Sequence, residues 1–299
     1  MLRHLKNQKQ TKKKSTISRR RDNKGRKLKA TNKDSYEEKR QLETLEPDLE
    51  LPQGYLSCSQ CTMYLRCGKQ YQFRYIDKIK SPPAVALTEG KCHHTAFELD
   101  NNSKYKTGEP LGVIEVLDTF ADGFRDQSRE ISKIEWRYSG ETLDTVIDRG
   151  RILVTHYMSN YSKLLIPSDR PEKKFEIELG GVPFIGFIDL PMKKSTLDYK
   201  VVKKAKSQSN ADLDLQGTVY SLVQNKKVFE FLCLCKTTIP KIVRVTSQRS
   251  LRDYVIAEAI IEGVAEGIKK GNFPMCNPAD NYLCSPKFCG YWNKCIGSY

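Results

Sequence analysis

An acidic residue closes one β-patterned run of this chain, and an acid-x-lysine triad closes the next. The first run is Val-Pro-Phe-Ile-Gly-Phe-Ile-Asp, Val182 to Asp189; the second is Lys-Ser-Thr-Leu-Asp-Tyr-Lys, Lys194 to Lys200. Strand side chains two apart share a face, so Asp198 and Lys200 point the same way, with the Tyr199 backbone carbonyl between them. Two carboxylates beside an ammonium can cleave a phosphodiester. Hard oxygen donors hold Mg²⁺ or Mn²⁺, and such an ion activates water and neutralises charge on phosphoryl oxygens. The lysine orients the water or stabilises the oxyanion. Alone, Asp-x-Lys is most often a surface ion pair, so the reading depends on its surroundings.

Those residues need a sheet and helices to position them. Pro47, Pro52 and Gly54 close a linker, and ordered structure is expected from Tyr55. Ser57 or Ser59 can cap a helix running to about Ile76, with Tyr64, Leu65, Tyr71 and Tyr75 buried. Ser81-Pro82-Pro83 breaks the chain. Helical patterns follow over about 84–104, 111–126 and 142–165. Phe175, Ile177 and Leu179 alternate with Glu176 and Glu178, the pattern of a half-buried strand, and Gly180-Gly181 is a turn signal. Strands are predicted over 182–190 and 195–202, then a helix over 212–224. Strands near 228–238 and 241–247 complete the sheet, and an amphipathic helix over 251–270 follows. Gln216 and Tyr220 are spaced i, i+4 on one helical face, as are His94 and Glu98.

As an ordered set these segments resemble the PD-(D/E)xK nuclease superfamily, specifically its RecB-like branch, which includes CRISPR spacer-acquisition exonucleases and many phage-encoded nucleases. The matching motifs are Gly90-Lys91-Cys92-His93-His94, Gly186-Phe187-Ile188-Asp189, Asp198-Tyr199-Lys200 and Gln216-Gly217-Thr218-Val219-Tyr220. Leu56-Ser57-Cys58-Ser59-Gln60 and Tyr64-Leu65-Arg66-Cys67 resemble the family's first-helix motif, with Gly68 where proline is common. The resemblance spans about 55–299. It implies a restriction-endonuclease-like α/β/α core, a mixed central sheet flanked by helices, with a helical insertion and a cysteine-rich C-terminal segment. It also implies roles: His94, Asp189, Asp198 and the Tyr199 carbonyl as metal ligands, Lys200 assisting the attacking water, and Gln216 and Tyr220 lining the site. His93 is then a packing or surface residue. Glu98 and Glu176 remain either solvated charges or partners of the ligands.

Ten cysteines without an apolar secretory segment argue against an extracellular disulfide framework and place the chain in the cytoplasm. Cys284, Cys289 and Cys295 fall within twelve residues. In iron–sulfur members of the resembled family, three C-terminal cysteines join one from the first helix on a [4Fe–4S] cluster; Cys67 occupies that position. The four-residue gap between Cys284 and Cys289 departs from the usual two. Structural zinc and unligated thiols remain open, since four thiolates suit zinc as well. Cys58-x-x-Cys61 is a competing pair, and Cys276 competes with Cys284. Cys92, Cys233 and Cys235 read as packing residues.

The net charge of +15 is concentrated at one end: residues 1–40 hold 16 Lys/Arg and 4 Asp/Glu, leaving +3 for the rest. Residues 1–50 read as a disordered basic arm that is a solubility tail, a nonspecific polyanion binder or an address signal, and 51–299 as the folded domain. No run of about 18 apolar residues suggests a membrane span. No Gly-x-x-x-x-Gly-Lys-(Ser/Thr) loop is present, so unwinding would need a helicase or recombination partner. Nothing reads base identity, so sequence-independent action on DNA, as single strands or duplex ends, is expected. Two alternatives stand beside it: an inactive nucleic-acid-binding module of the same fold, and a zinc-dependent scaffold.

Overall fold

The computed structural model describes residues 50–295. The basic arm expected over residues 1–50 lies almost wholly outside them.

The chain opens on α1 (Cys58–Arg66), whose N-terminus is capped by the Ser57 hydroxyl accepting from the Gln60 amide at 3.3 Å. The single helix expected to Ile76 is broken at Cys67, which takes an extended conformation between α1 and α2 (Gly68–Tyr71); a π-helical turn then covers Gln72–Ile76. Leu65 is 58% exposed, not buried as its spacing suggested. Gly68 has a packing reason. A Cβ there would lie 2.6 Å from Pro274 Cδ and 2.8 Å from the Phe273 carbonyl carbon, because the C-terminal segment crosses directly over it.

A helical layer follows: α3 (Val85–Thr107), α4 (Val113–Ser128), α5 (Lys133–Ser139) and α6 (Leu143–Asn160). Helix α5, two turns with no buried residue, left no periodic signal in the sequence; Ser132 caps its start and Gly140 (φ +70) ends it. Next come β1 (Lys173–Leu179), β2 (Val182–Ile188), β3 (Leu190–Pro191) and β4 (Ser195–Val202). Helices α7 (Gln208–Asp212) and α8 (Leu215–Val223), strands β5 (Val228–Cys235) and β6 (Lys241–Gln248), and α9 (Leu251–Lys269) complete the fold.

The strands form two hydrogen-bonded ladders rather than one. β1 and β2 make a hairpin through Gly180-Gly181, both at positive φ, with Leu179 opposite Val182. A second ladder has the order β3-β4-β5-β6, with β4 and β5 parallel and its other pairs antiparallel. The expected 182–190 strand therefore splits at Asp189, where the chain leaves one ladder for the other.

Strand alternation divides the core. Phe229, Phe231, Cys233 and Cys235 of β5 pack with α1, α8, α9 and the hairpin. Leu232 and Leu234 pack on the opposite face with α3, α4 and α6. On β4, Leu197 and Tyr199 join the second layer, so Asp198 and Lys200 face the first. Burial on both faces is what a parallel β4–β5 pair requires, and the result is the α/β/α architecture expected from the sequence.

Two polar networks tie α3 to the sheet. The fully buried Tyr199 ring packs 5.0 Å from Phe97, and its hydroxyl accepts from Asn101 at 2.9 Å. Glu89, also fully buried, takes a bidentate pair from Arg149 at 3.0 and 3.1 Å and the Lys236 ammonium at 2.8 Å. A buried carboxylate is tolerated only when so completely paired. These contacts set the rotation of α3, and thereby the face on which His94 emerges.

Candidate active site

Three segments converge beside β4. Asp189, just past β2, accepts the Tyr199 amide on Oδ2 at 2.9 Å. His94, on the sheet-facing side of α3, brings Nε2 to 2.9 Å from the Tyr199 carbonyl and Nδ1 to 3.3 Å from Asp189 Oδ2. The third contributor is Glu172, just before β1. Its Oε1 lies 3.9 Å from His94 Nδ1, and its amide donates to the Asp189 carbonyl at 3.2 Å. Glu172 adopts φ +50, an uncommon conformation for a non-glycine residue. His94, Glu172 and Asp189 each offer a donor atom within 4.8 Å of the other two.

Asp198 and Lys200 share a face of β4, as alternation required. The Lys200 ammonium donates to Asp198 Oδ1 at 3.0 Å and to Gln216 Oε1 at 2.8 Å, while Gln216 Nε2 donates to Asp198 Oδ1 at 2.8 Å. Gln216 sits in the first turn of α8, which Asp214 caps by accepting the Gly217 amide at 2.8 Å. The three side chains form a closed ring, so Lys200 is held by two partners rather than by one ion pair.

Electrostatics at this site favour a bound cation. Burial, reinforced by Asp189 and opposed by Lys200, pushes Asp198 up to about 6. Burial likewise raises Asp189, against the pull of His94. His94 is disfavoured as a cation by burial, yet Asp189 and Glu172 raise it to about 9. Lys200 is similarly opposed by burial and raised by Asp198 and Asp189, which favours its ammonium form. Asp198 Oδ2 is buried, and no donor is aligned on it although the ammonium lies 2.8 Å away. Adjacent ligands of an octahedral ion with bonds of about 2.1 Å lie roughly 3.0 Å apart. His94 Nδ1 and Asp189 Oδ2, 3.3 Å apart, come near that spacing, with Glu172 Oε1 3.9 Å from the same nitrogen. The residues therefore fit a hard divalent ion, bound with release of the histidine proton.

Tyr220 lines the cleft, where its ring packs edge-on to Phe175 at 5.2 Å and the Phe187 backbone lies beside its hydroxyl. It supports β2 rather than bonding to Lys200. Gly186 makes room for this arrangement: a Cβ there would meet Phe175 Cζ at 2.5 Å and Tyr220 Cε1 at 3.0 Å. His93 is fully buried against Phe120 at 4.2 Å, a packing residue. Glu98 has no hydrogen bond or ion pair among the described residues. Glu176 is exposed and paired with Lys174. Glu172 escaped the sequence reading because one acid before a strand carries no spacing signal.

A cleft of about 950 Å³ opens over these groups, walled on the far side by α1 and the π-helical turn. Behind α1 lie the cysteines. Cys67, Cys276, Cys284 and Cys289 line one hollow, and Cys67, Cys284, Cys289 and Cys295 line its neighbour. Cys276, the fifth member, is pushed up to about 12 by burial and by its thiol contacts with Cys284 and Cys67. Backbone contacts dock this segment: the Lys69 amide donates to the Pro274 carbonyl at 3.3 Å and the Tyr64 hydroxyl to the Asn272 carbonyl at 2.5 Å. Cys58 and Cys61 are core residues, as are Cys92, Cys233 and Cys235. Tyr291 packs on Phe73 at 5.6 Å, so it serves the docked segment.

Residues 55–296 match the PD-(D/E)XK nuclease superfamily, and the chain belongs to it. It is accordingly a nuclease fold whose members hydrolyse nucleic acid with divalent metal ions. A crystal structure of a "Putative exonuclease" from Eubacterium rectale superposes with TM-score 0.53 at 15% identity, covering 83% of this chain and 90% of that one. That likeness concerns the fold. The crystal structure of SSO0001 aligns over 90% of this chain and 98% of its own at 14% identity, with TM-score 0.38. No curated protein sequence matches. Among the described residues no helix is long and apolar enough to cross a membrane.

Proposed function

We propose that this protein is a Mg²⁺- or Mn²⁺-dependent deoxyribonuclease that degrades DNA from ends or single strands without reading base identity. One observation carries the reading: His94 Nδ1 lies 3.3 Å from Asp189 and 3.9 Å from Glu172, beside the strand that presents the Asp198–Lys200–Gln216 ring. His94, Glu172, Asp189, Asp198 and the Tyr199 carbonyl would hold the ion, which supplies water activation and charge neutralisation at the phosphoryl group. Gln216 fixes the Lys200 ammonium. Lys200 donates a hydrogen bond to the attacking water or to a non-bridging oxygen as negative charge grows there. Asp198 anchors both through Oδ1. Tyr220 and Gly186 keep β2 and Asp189 in register with β4. Residues 51–299 form the nuclease domain, and the basic arm adds sequence-independent attraction to the polyanion.

Cys67, Cys284, Cys289 and Cys295 bind a [4Fe–4S] cluster that clamps the C-terminal segment behind α1. The four thiolates lie around two adjoining hollows, and such a set suits a cluster of this kind. The cluster acts by holding α1, one wall of the cleft, and takes no part in hydrolysis.

The test is digestion of labelled linear single- and double-stranded DNA with Mg²⁺ or Mn²⁺. Asp198→Ala and Lys200→Ala should abolish cleavage while DNA binding persists; cleavage at the parent rate in both would refute the assignment. A brown protein whose broad visible absorption vanishes in Cys289→Ala identifies the cluster.

A further inference from the structure

The walls of the cleft carry a second pattern that the hydrolytic groups do not use. Phe187 is 49% exposed, an uncommon state for a phenylalanine at the end of a strand flanked by buried Gly186 and Ile188. It lines the cleft with Asp189, two residues on. On a strand that spacing is about 7 Å along the chain. Phe187 and Asp189 are therefore neighbours along one wall of the cleft, so a base on the ring and a phosphate at the carboxylate can belong to adjacent nucleotides. Across the cleft stands Tyr75, packed on Tyr71 at 4.8 Å, with the Arg74 guanidinium 5.5 Å from its ring centroid. Arg66 lines the same wall and is held by the Gln70 side chain at 3.2 and 2.5 Å. Among the described residues neither Arg66 nor Arg74 pairs with a carboxylate, although most cleft-floor charges are paired. Guanidinium groups free of carboxylates beside a half-buried Tyr75, facing an exposed Phe187 ring, suit a phosphate backbone with unstacked bases.

Resting on the nuclease reading above, we infer that Phe187 and Tyr75 form a base-stacking clamp that positions an unpaired strand, with Arg66 and Arg74 on its phosphates. Phe187 stacks on the base next to the phosphate at Asp189. A base inside a duplex is covered on both faces by its neighbours, so the clamp engages DNA only where bases are unpaired. Phe187 is then a positioning residue: it aligns the scissile phosphate and touches no reacting atom.

The clamp can be tested without cleavage. In an Asp198→Ala background, fluorescence anisotropy measures binding of a short labelled single strand, the same strand made abasic, and a blunt duplex. Loss of one base–aromatic stack should weaken single-strand binding about 5- to 150-fold in Phe187→Ala. Phe187→Trp should restore it, and abasic and duplex binding should move less than twofold. Arg74→Ala should lower the slope of log K against log salt by about 0.7, one single-strand phosphate contact. Single-strand affinity unchanged in Phe187→Ala, or lost equally on the abasic strand, overturns the clamp. Because Phe187 is half exposed, its removal should leave the melting temperature near that of the parent. The nuclease reading fails separately, when the intact protein with metal cleaves no DNA while these binding differences persist.

Discussion

Replacing Gly186 by alanine tests how a motif glycine serves the site. The added methyl would sit 2.5 Å from Phe175 Cζ, 2.6 Å from Phe175 Cε1 and 3.0 Å from Tyr220 Cε1. Carbon atoms rest at about 3.5–4.0 Å, so the rings must retreat by roughly 1 Å. Both belong to the core and already meet edge-to-face at 5.2 Å, which leaves no free direction. Overpacking of this kind costs about 1–3 kcal/mol. For a domain of about 250 residues each kcal/mol lowers Tm by about 2–4 °C, so the expected drop is about 2–12 °C. A functional effect follows from the same displacement. Tyr220 lies one helical turn after Gln216, so moving α8 loosens the grip of Gln216 on Lys200, and kcat should fall more than KM rises. Removing the distal ring atoms in Phe175→Leu should let the alanine fit, so the double variant should melt closer to Phe175→Leu alone than additivity predicts. Calorimetric melting of the four proteins, with cleavage rates measured well below Tm, reads both effects. If Gly186→Ala melts within 1 °C of the parent, the packing explanation is wrong.

Glu172→Gln should weaken Mn²⁺ binding in titration calorimetry by about tenfold or more without lowering Tm; unchanged affinity would show that Glu172 does not reach the ion. His93, buried beside Phe97 and Phe120, is depressed from 6.5 to about 4, chiefly by burial. The unfolded chain therefore binds this proton first, and stability should fall as pH drops from about 6.5 to 4, by up to about 3 kcal/mol. Thermal melts should show that dependence flattened in His93→Leu; an equally steep profile would assign the acid sensitivity elsewhere. Cys276→Ser should keep the visible chromophore and Cys67→Ser should lose it; the opposite result would exchange their places in the ligand set.

What could be read directly from the chain was periodic and local. Alternation over Ser195–Val202 put Asp198 and Lys200 on one face because a pleated strand allows no other arrangement. Gly180-Gly181 declared its hairpin, since consecutive residues at positive φ favour glycine. The order of the motifs was enough to name the family. Other features depended on which faces meet. Glu172 joined His94 only because the β1–β2 hairpin ladder runs back beside Asp189. Tyr220 had the spacing of a site residue, but that its ring packs on Phe175 depends on the open space at Gly186. Cys276, named in the sequence only as a competitor of Cys284, stands beside both Cys284 and Cys67 because Pro274 crosses Gly68. Spacing along a chain encodes the direction of a side chain within its own element. Long-range pairing of strands and docking of segments decide what that side chain meets, and those contacts have no fixed separation in sequence.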